Sequence, residues 1–142
     1  MYIARDELAA FDHLSNIAKC RIILAKVRAL VVNDMEILRE MPGIPPLYTS
    51  GVVYRYQPAV DDWQDILRAL MTRGASCNSL AAWRCAELQH EGENAVPYIR
   101  SRSTVGANGQ NFDIFHVIVR RPLPSPYDWE DPSVQLGMPP GG

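Results

Sequence analysis

The chain has 142 residues, with 14 basic and 16 acidic side chains, a net charge of −2 and 47% hydrophobic content. This is one domain's worth of sequence with enough apolar material for a core, which excludes a disordered or fibrous chain. The near-neutral charge argues against a protein built to grip nucleic acid, and three scattered cysteines are no disulfide framework but fit a reducing compartment.

From about residue 6 to residue 41 there is neither glycine nor proline. Ile23, Val27, Leu30, Val31, Ile37, Leu38 and Met41 recur at helical spacing, interrupted by Asp34, while Lys19, Lys26, Arg28, Asn33, Glu36 and Arg39 mostly lie elsewhere. The pattern predicts one amphipathic helix or two, with a break at Ser15-Asn16 and an end at Pro42-Gly43. Residues 44–51 read as irregular, and Val52-Val-Tyr-Arg-Tyr56 as a short strand stopped by Pro58. Asp61 or Asp62 is expected to cap a short helix carrying Trp63, Ile66, Leu67, Leu70 and Met71, closing at Gly74. A further helix spans about residues 77–90, with Gly92 as its terminal signal. Its apolar residues occupy more than one side, which marks a central, buried helix.

Beyond Gly92 the period changes. Residues 95–102 and 112–120 read as strands joined by the turn-rich Gly106-Ala-Asn-Gly109, so that Ile99 and Val117 lie on antiparallel neighbours. Alternation puts His116 and Ile118 on one face and Val117 on the other. Six of the eleven prolines follow Arg121, and a short extended piece at residues 127–131 fits between their clusters. Helices first and strands later mean α+β with an antiparallel sheet. The chain reads as a single domain of residues 1–142, with a helical region 1–42, a core 43–138 and a tail 139–142. The charged start lacks the apolar run of a signal peptide, and nothing approaches the roughly 18 apolar residues of a membrane span.

Cys77 carries the most information. Ser76 is a suitable N-cap, so the thiol falls in the first turn of a helix, where free N–H groups and the helix dipole favour the thiolate. Such placement can lower a cysteine pKa from about 8.5 into a range of about 3.5 to 7.5. The plain alternative is a small buried residue, as most free cysteines are, and Cys85 and Cys20 read that way. Arg84 projects on the side of Cys77 two turns along and, if buried, needs a carboxylate partner. His116 sits mid-strand, where a lone histidine is usually a satisfied core or surface residue. A thiol nucleophile needs a base, however, and the base needs an orienting acceptor. Cys77, His116 and Asp131 supply the three types in order, with Asp128 and Glu130 near the last. His13 and His90 read as solvated helix residues.

Other motifs are weak. There is no zinc-knuckle spacing, no HExxH and no glycine-rich phosphate loop, so neither metal nor cofactor is expected. Arg100, Arg102, Arg120 and Arg121 form a small basic face that reads as solvated sheet surface.

Gly74-x-x-Cys77-x-x-Leu-Ala-Ala-Trp-Arg-x-Ala-Glu-Leu88, then Phe115-His-Val-Ile-Val119, then Glu130-Asp-Pro-Ser-x-x-Leu-Gly-Met138, resembles the transglutaminase-like group of the papain-like thiol fold. The likeness is greatest to small phage-encoded members, and Pro45-Pro-Leu-Tyr-x-Ser-Gly-Val-Val-Tyr-Arg55 fits them as well. It covers roughly residues 30–138. It implies Cys77 as nucleophile, His116 as base and Asp131 as the residue orienting it, with the cysteine helix packed on a small antiparallel sheet. Trp63 is the candidate for a second oxyanion donor, with core packing as the alternative. Where relatives place acidic residues beside the cysteine, this chain has Ser76, Asn78 and Ser79.

The implied activity is cysteine-dependent acyl transfer on a protein or peptide, as a peptidase, amidase or transglutaminase-like enzyme. Expected partners are other phage structural proteins or a second copy, in a virion or host cytoplasm, with neither nucleic acid nor membrane. The alternative is a non-catalytic component of a phage neck, tail or baseplate.

Overall fold

The computed structural model describes residues 2–4, 16–56, 63–109 and 111–139. The expected helix over residues 6–15 with His13, the caps Asp61 and Asp62, the stop at Pro58 and the tail's final residues lie outside them. Helix α1 is described over Asn16–Glu40, and the expected break at Ser15-Asn16 lies at the edge of the described residues. It buries Lys19, Ile23, Val27, Val31 and Asp34, a stripe stepping by four, four, four and three residues, as a helix face must. That stripe packs on α3, Cys77–His90, and on β4, Val96–Val105. Ile17 and Val32 remain exposed.

Two ionisable residues in the stripe have specific reasons to be there. Lys19 Nζ is 3.0 Å from Asp113 Oδ2, in an ion pair whose side chains are almost fully buried. Asp113 also accepts the Ser103 hydroxyl at 3.0 Å. Asp34 Oδ1 accepts the backbone N–H of Ile66 at 3.0 Å. It thereby satisfies the first free N–H of α2, Ile66–Thr72, from a neighbouring helix. Asp65 is the cap of α2, accepting the Arg68 N–H at 2.9 Å, and Trp63 precedes the helix rather than riding on it. Arg73, in the left-handed region, closes α2 in place of Gly74. A 3-10 turn at Leu47–Thr49 leads into β2, Val53–Tyr54, which pairs in parallel with β3, Gly74–Ala75.

Helix α3 is the centre of the fold. Leu80, Ala81, Ala82, Trp83, Cys85, Ala86 and Leu88 are all buried, between one cluster shared with α1 and the sheet and another shared with Leu47, Val52, Ile66 and Ala69. Its apolar residues point all round because structure surrounds it. Gly92, with φ +93°, turns the chain out of it. The long hairpin follows: β4 and β5, Asn111–Arg120, pair antiparallel with Ile99 opposite Val117. Among the described residues the sheet is antiparallel, with β1, Tyr2–Ala4, and β6, Trp129–Glu130, both on the free side of β5. The architecture is α+β.

Pairing along that free side is interrupted. Strand β1 ends its register at Ile114, and β6 begins at Val119. Among the described residues no strand covers residues 115–118 there. A notch in the sheet edge therefore lies between two short strands, and the functional residues converge on it.

Candidate active site

Cys77 is the first residue of α3. Ser76 holds the N-cap position with extended backbone, φ −84° and ψ 174°. Its hydroxyl does not cap the helix; it bonds to the Asn78 side-chain oxygen, which accepts the Ser79 N–H at 2.9 Å. The Ser79 hydroxyl accepts the Gln64 N–H at 2.9 Å, so the helix start is tied to the chain entering α2. Asn78 and Ser79 are therefore buried structural residues rather than groups open to a substrate.

His116 stands on β5 at the notch. Its Nε2 lies 2.7 Å from Asp131 Oδ2. Asp131 follows β6 directly and is the N-cap of α4, Pro132–Gln135, where Oδ1 accepts the N–H groups of Ser133 at 3.1 Å and Val134 at 3.4 Å. One oxygen is thus held by a helix start while the other holds the imidazole. The other ring nitrogen, Nδ1, is buried and has no hydrogen-bond partner among the described residues. It is left for the Cys77 thiol, the second side chain that interacts with this ring.

The electrostatics follow from these contacts. Burial alone would lower the His116 pKa, but the Asp131 hydrogen bond, the Cys77 thiol and both their charges outweigh it and raise the pKa to about 9. Burial alone would raise that of Cys77, yet His116 and a backbone hydrogen bond from Val117 bring it below the ordinary thiol value. Asp131, likewise penalised by burial, is held below the usual carboxylate range by His116 and the α4 N–H groups. All three shifts favour a thiolate–imidazolium pair backed by a carboxylate. Cys85, by contrast, is pushed up to about 12 by burial. The Cys77 sulfur has no exposed surface, so a substrate must displace whatever covers it.

The site has a charged support that sequence reasoning reached only in part. Glu130, next to Asp131, accepts Arg84 Nε at 2.5 Å, Arg121 at 3.2 Å and the Tyr48 hydroxyl. Arg84 also meets Glu87 at 3.3 Å and stacks over Tyr48 at 5.1 Å, while Arg121 reaches Glu93 at 2.6 Å. The need of Arg84 for a carboxylate could be read from its place on α3; that Glu130 meets it, 46 residues on, could not. Trp63 is half-buried against the core that contains Cys77, with the Lys26 ammonium 5.7 Å above its ring. Arg121 turns to Glu93 and Glu130, while Arg100, Arg102 and Arg120 stay exposed on the outer face of the hairpin. Among the described residues no group of three His, Cys, Asp or Glu is placed to hold a metal, and no helix is long and apolar enough to cross a membrane. Compared with protein-family models, with curated proteins and with solved structures, the chain has no significant match.

Proposed function

We propose that this chain is a cysteine-dependent acyl-transfer enzyme acting on an amide bond of a protein or peptide. The observation that carries the reading is the 2.7 Å contact of His116 Nε2 with Asp131 while Nδ1 is left for a thiol at a helix start. With Nε2–H held by Asp131, the proton that moves is on Nδ1. The Cys77 thiolate attacks the carbonyl carbon, and the oxyanion meets the Cys77 backbone N–H, which has no carbonyl partner in a first turn. The C–N bond breaks as Nδ1 gives its proton to the leaving amine. Water or a second amine then attacks the thioester, His116 takes that nucleophile's proton, and the thiolate leaves. Water makes the enzyme a peptidase or amidase; an amine makes it a crosslinking transferase.

The motifs around Cys77, His116 and Asp131, and the order of the Cys77 helix before the β4–β5 hairpin, support a place in the transglutaminase-like group of the papain-like fold. With that placement goes a phage-encoded protein that works in the virion or host cytoplasm, beside other phage structural proteins or a second copy. The burial of Cys77 favours one competing reading, a structural particle component that keeps the fold with the site unused.

Alkylation of the folded protein separates the two. At about pH 6, iodoacetamide should modify Cys77 at least tenfold faster than Cys20 or Cys85, and His116→Ala should abolish the preference. Modification of Cys77 only at the rate of global unfolding would leave the structural reading.

A further inference from the structure

The hairpin register places Arg100 directly across from His116 and Arg102 across from Ile114. Cross-strand partners share a face, so both guanidinium groups stand on the outer face beside the imidazole. There they line a groove of about 210 Å³ whose other walls include Ile114, His116, Asp131 and Met138. Arg100 rests over the Trp129 ring at 5.6 Å, a ring that Arg120 also covers at 5.2 Å.

The charges in this groove do not balance. Arg84 and Arg121 each have carboxylate partners within 3.3 Å. Among the described residues neither Arg100 nor Arg102 forms an ion pair. Among the described residues lining the groove the one carboxylate, Asp131, is committed to His116 and to the start of α4. A guanidinium fork matches a carboxylate, and two forks above an apolar floor of Ile114 and Met138 fit a short aliphatic chain that ends in one. The volume is below that of sites for whole small molecules and suits a single side chain.

We propose that this groove is a specificity subsite for an acidic side chain, aspartate or glutamate, close to the reacting carbonyl of the substrate. Arg102 pairs its carboxylate, and Arg100, steadied by Trp129, adds the second positive charge. The inference rests on the acyl-transfer reading of Cys77.

Two reagents that differ only in charge test it. Iodoacetate and iodoacetamide alkylate Cys77 by the same step, in which sulfur bonds to the CH₂ carbon and iodide leaves. Their rate ratio at neutral pH and low salt therefore reports how the site treats a carboxylate. In the full chain, the double substitution Arg100→Gln/Arg102→Gln should lower the iodoacetate-to-iodoacetamide ratio about fivefold, the scale of exposed charge pairs, and leave the iodoacetamide rate within about twofold. Arg120→Gln, an equal loss of charge outside the groove, should leave the ratio unchanged, and salt should shrink the wild-type ratio towards that of the double variant. A ratio indifferent to the double substitution, with iodoacetamide labelling still dependent on His116, overturns the subsite and spares the acyl-transfer reading. Failure of both reagents to label Cys77 ahead of the other thiols removes that reading and the subsite with it.

Discussion

Arg84→Met probes the support behind Asp131. The guanidinium makes its closest contact with Glu130 at 2.5 Å and a second with Glu87 at 3.3 Å, and the carboxylate side chains are only 10% and 11% exposed. Removing one partner of a buried pair costs about 3 to 5 kcal/mol, because the remaining charge is stranded. Here Glu130 keeps Arg121 and the Tyr48 hydroxyl, and Glu87 keeps the Leu47 N–H at 2.8 Å. About half of the penalty should remain, roughly 1.5 to 2.5 kcal/mol, or a fall in Tm of about 5 to 8 °C for a chain of this size. Arg39→Met is the matched control. Its pair with Glu36 is 57% and 56% exposed, and its loss should cost under about 0.5 kcal/mol. Adding Glu130→Leu to Arg84→Met should recover part of the stability, since Glu130 is then no longer a stranded charge, Glu87 keeps the Leu47 N–H and Arg121 keeps Glu93. Urea unfolding and thermal melts measure all three. If Arg84→Met matches Arg39→Met, or the double variant is less stable than Arg84→Met alone, the network is not a buried support.

Two further outcomes are expected. Burial chiefly, with Asp65 adding and the Ile66 N–H opposing, raises the Asp34 pKa to about 8, so the folded state holds a proton that the unfolded chain releases near pH 4. Its contribution to stability is full below about pH 4 and is lost as pH rises through about 8; Asp34→Asn, which keeps an acceptor for Ile66, should flatten that fall by a few kcal/mol in urea midpoints at pH 5 and pH 8, and an unchanged slope would refute it. Trp83 is fully buried and its indole N–H has no partner among the described residues; Trp83→Phe, removing that donor along with some volume, should cost less than about 1.5 kcal/mol, against about 3 to 5 for Trp83→Ala, and equal costs would show that the N–H is bonded.

What could be read from the chain was local. The helix starting at Cys77, the left-handed exit at Gly92 and the alternation of the hairpin follow from caps, glycine and period. That the segments around Ile99 and Val117 are antiparallel neighbours was legible as well; that the two residues stand directly opposite is a matter of register. The apolar crowding of α3 announced a central helix because no side of it could be left to water. Asp34 was visible only as a break in a stripe; its reason is the N–H of Ile66, 32 residues on and on another helix. Strand β1 left no signal, since three residues carry no period and the partner lies more than a hundred residues away. Arg100 and Arg102 read as solvated surface because only the register, not composition, sets them beside His116 and Ile114.

The direction of β1 bears on how the protein can be handled. It runs antiparallel to β5, with Ala4 opposite Phe112 and Tyr2 opposite Ile114. Three more steps in that register would lie opposite Val117, whose backbone serves the Cys77 sulfur. A segment that continued this register ahead of Tyr2 would cross the notch. A leader fused at the front and then cut away by a protease would be a ready-made shutter, to be opened when the thiol is wanted.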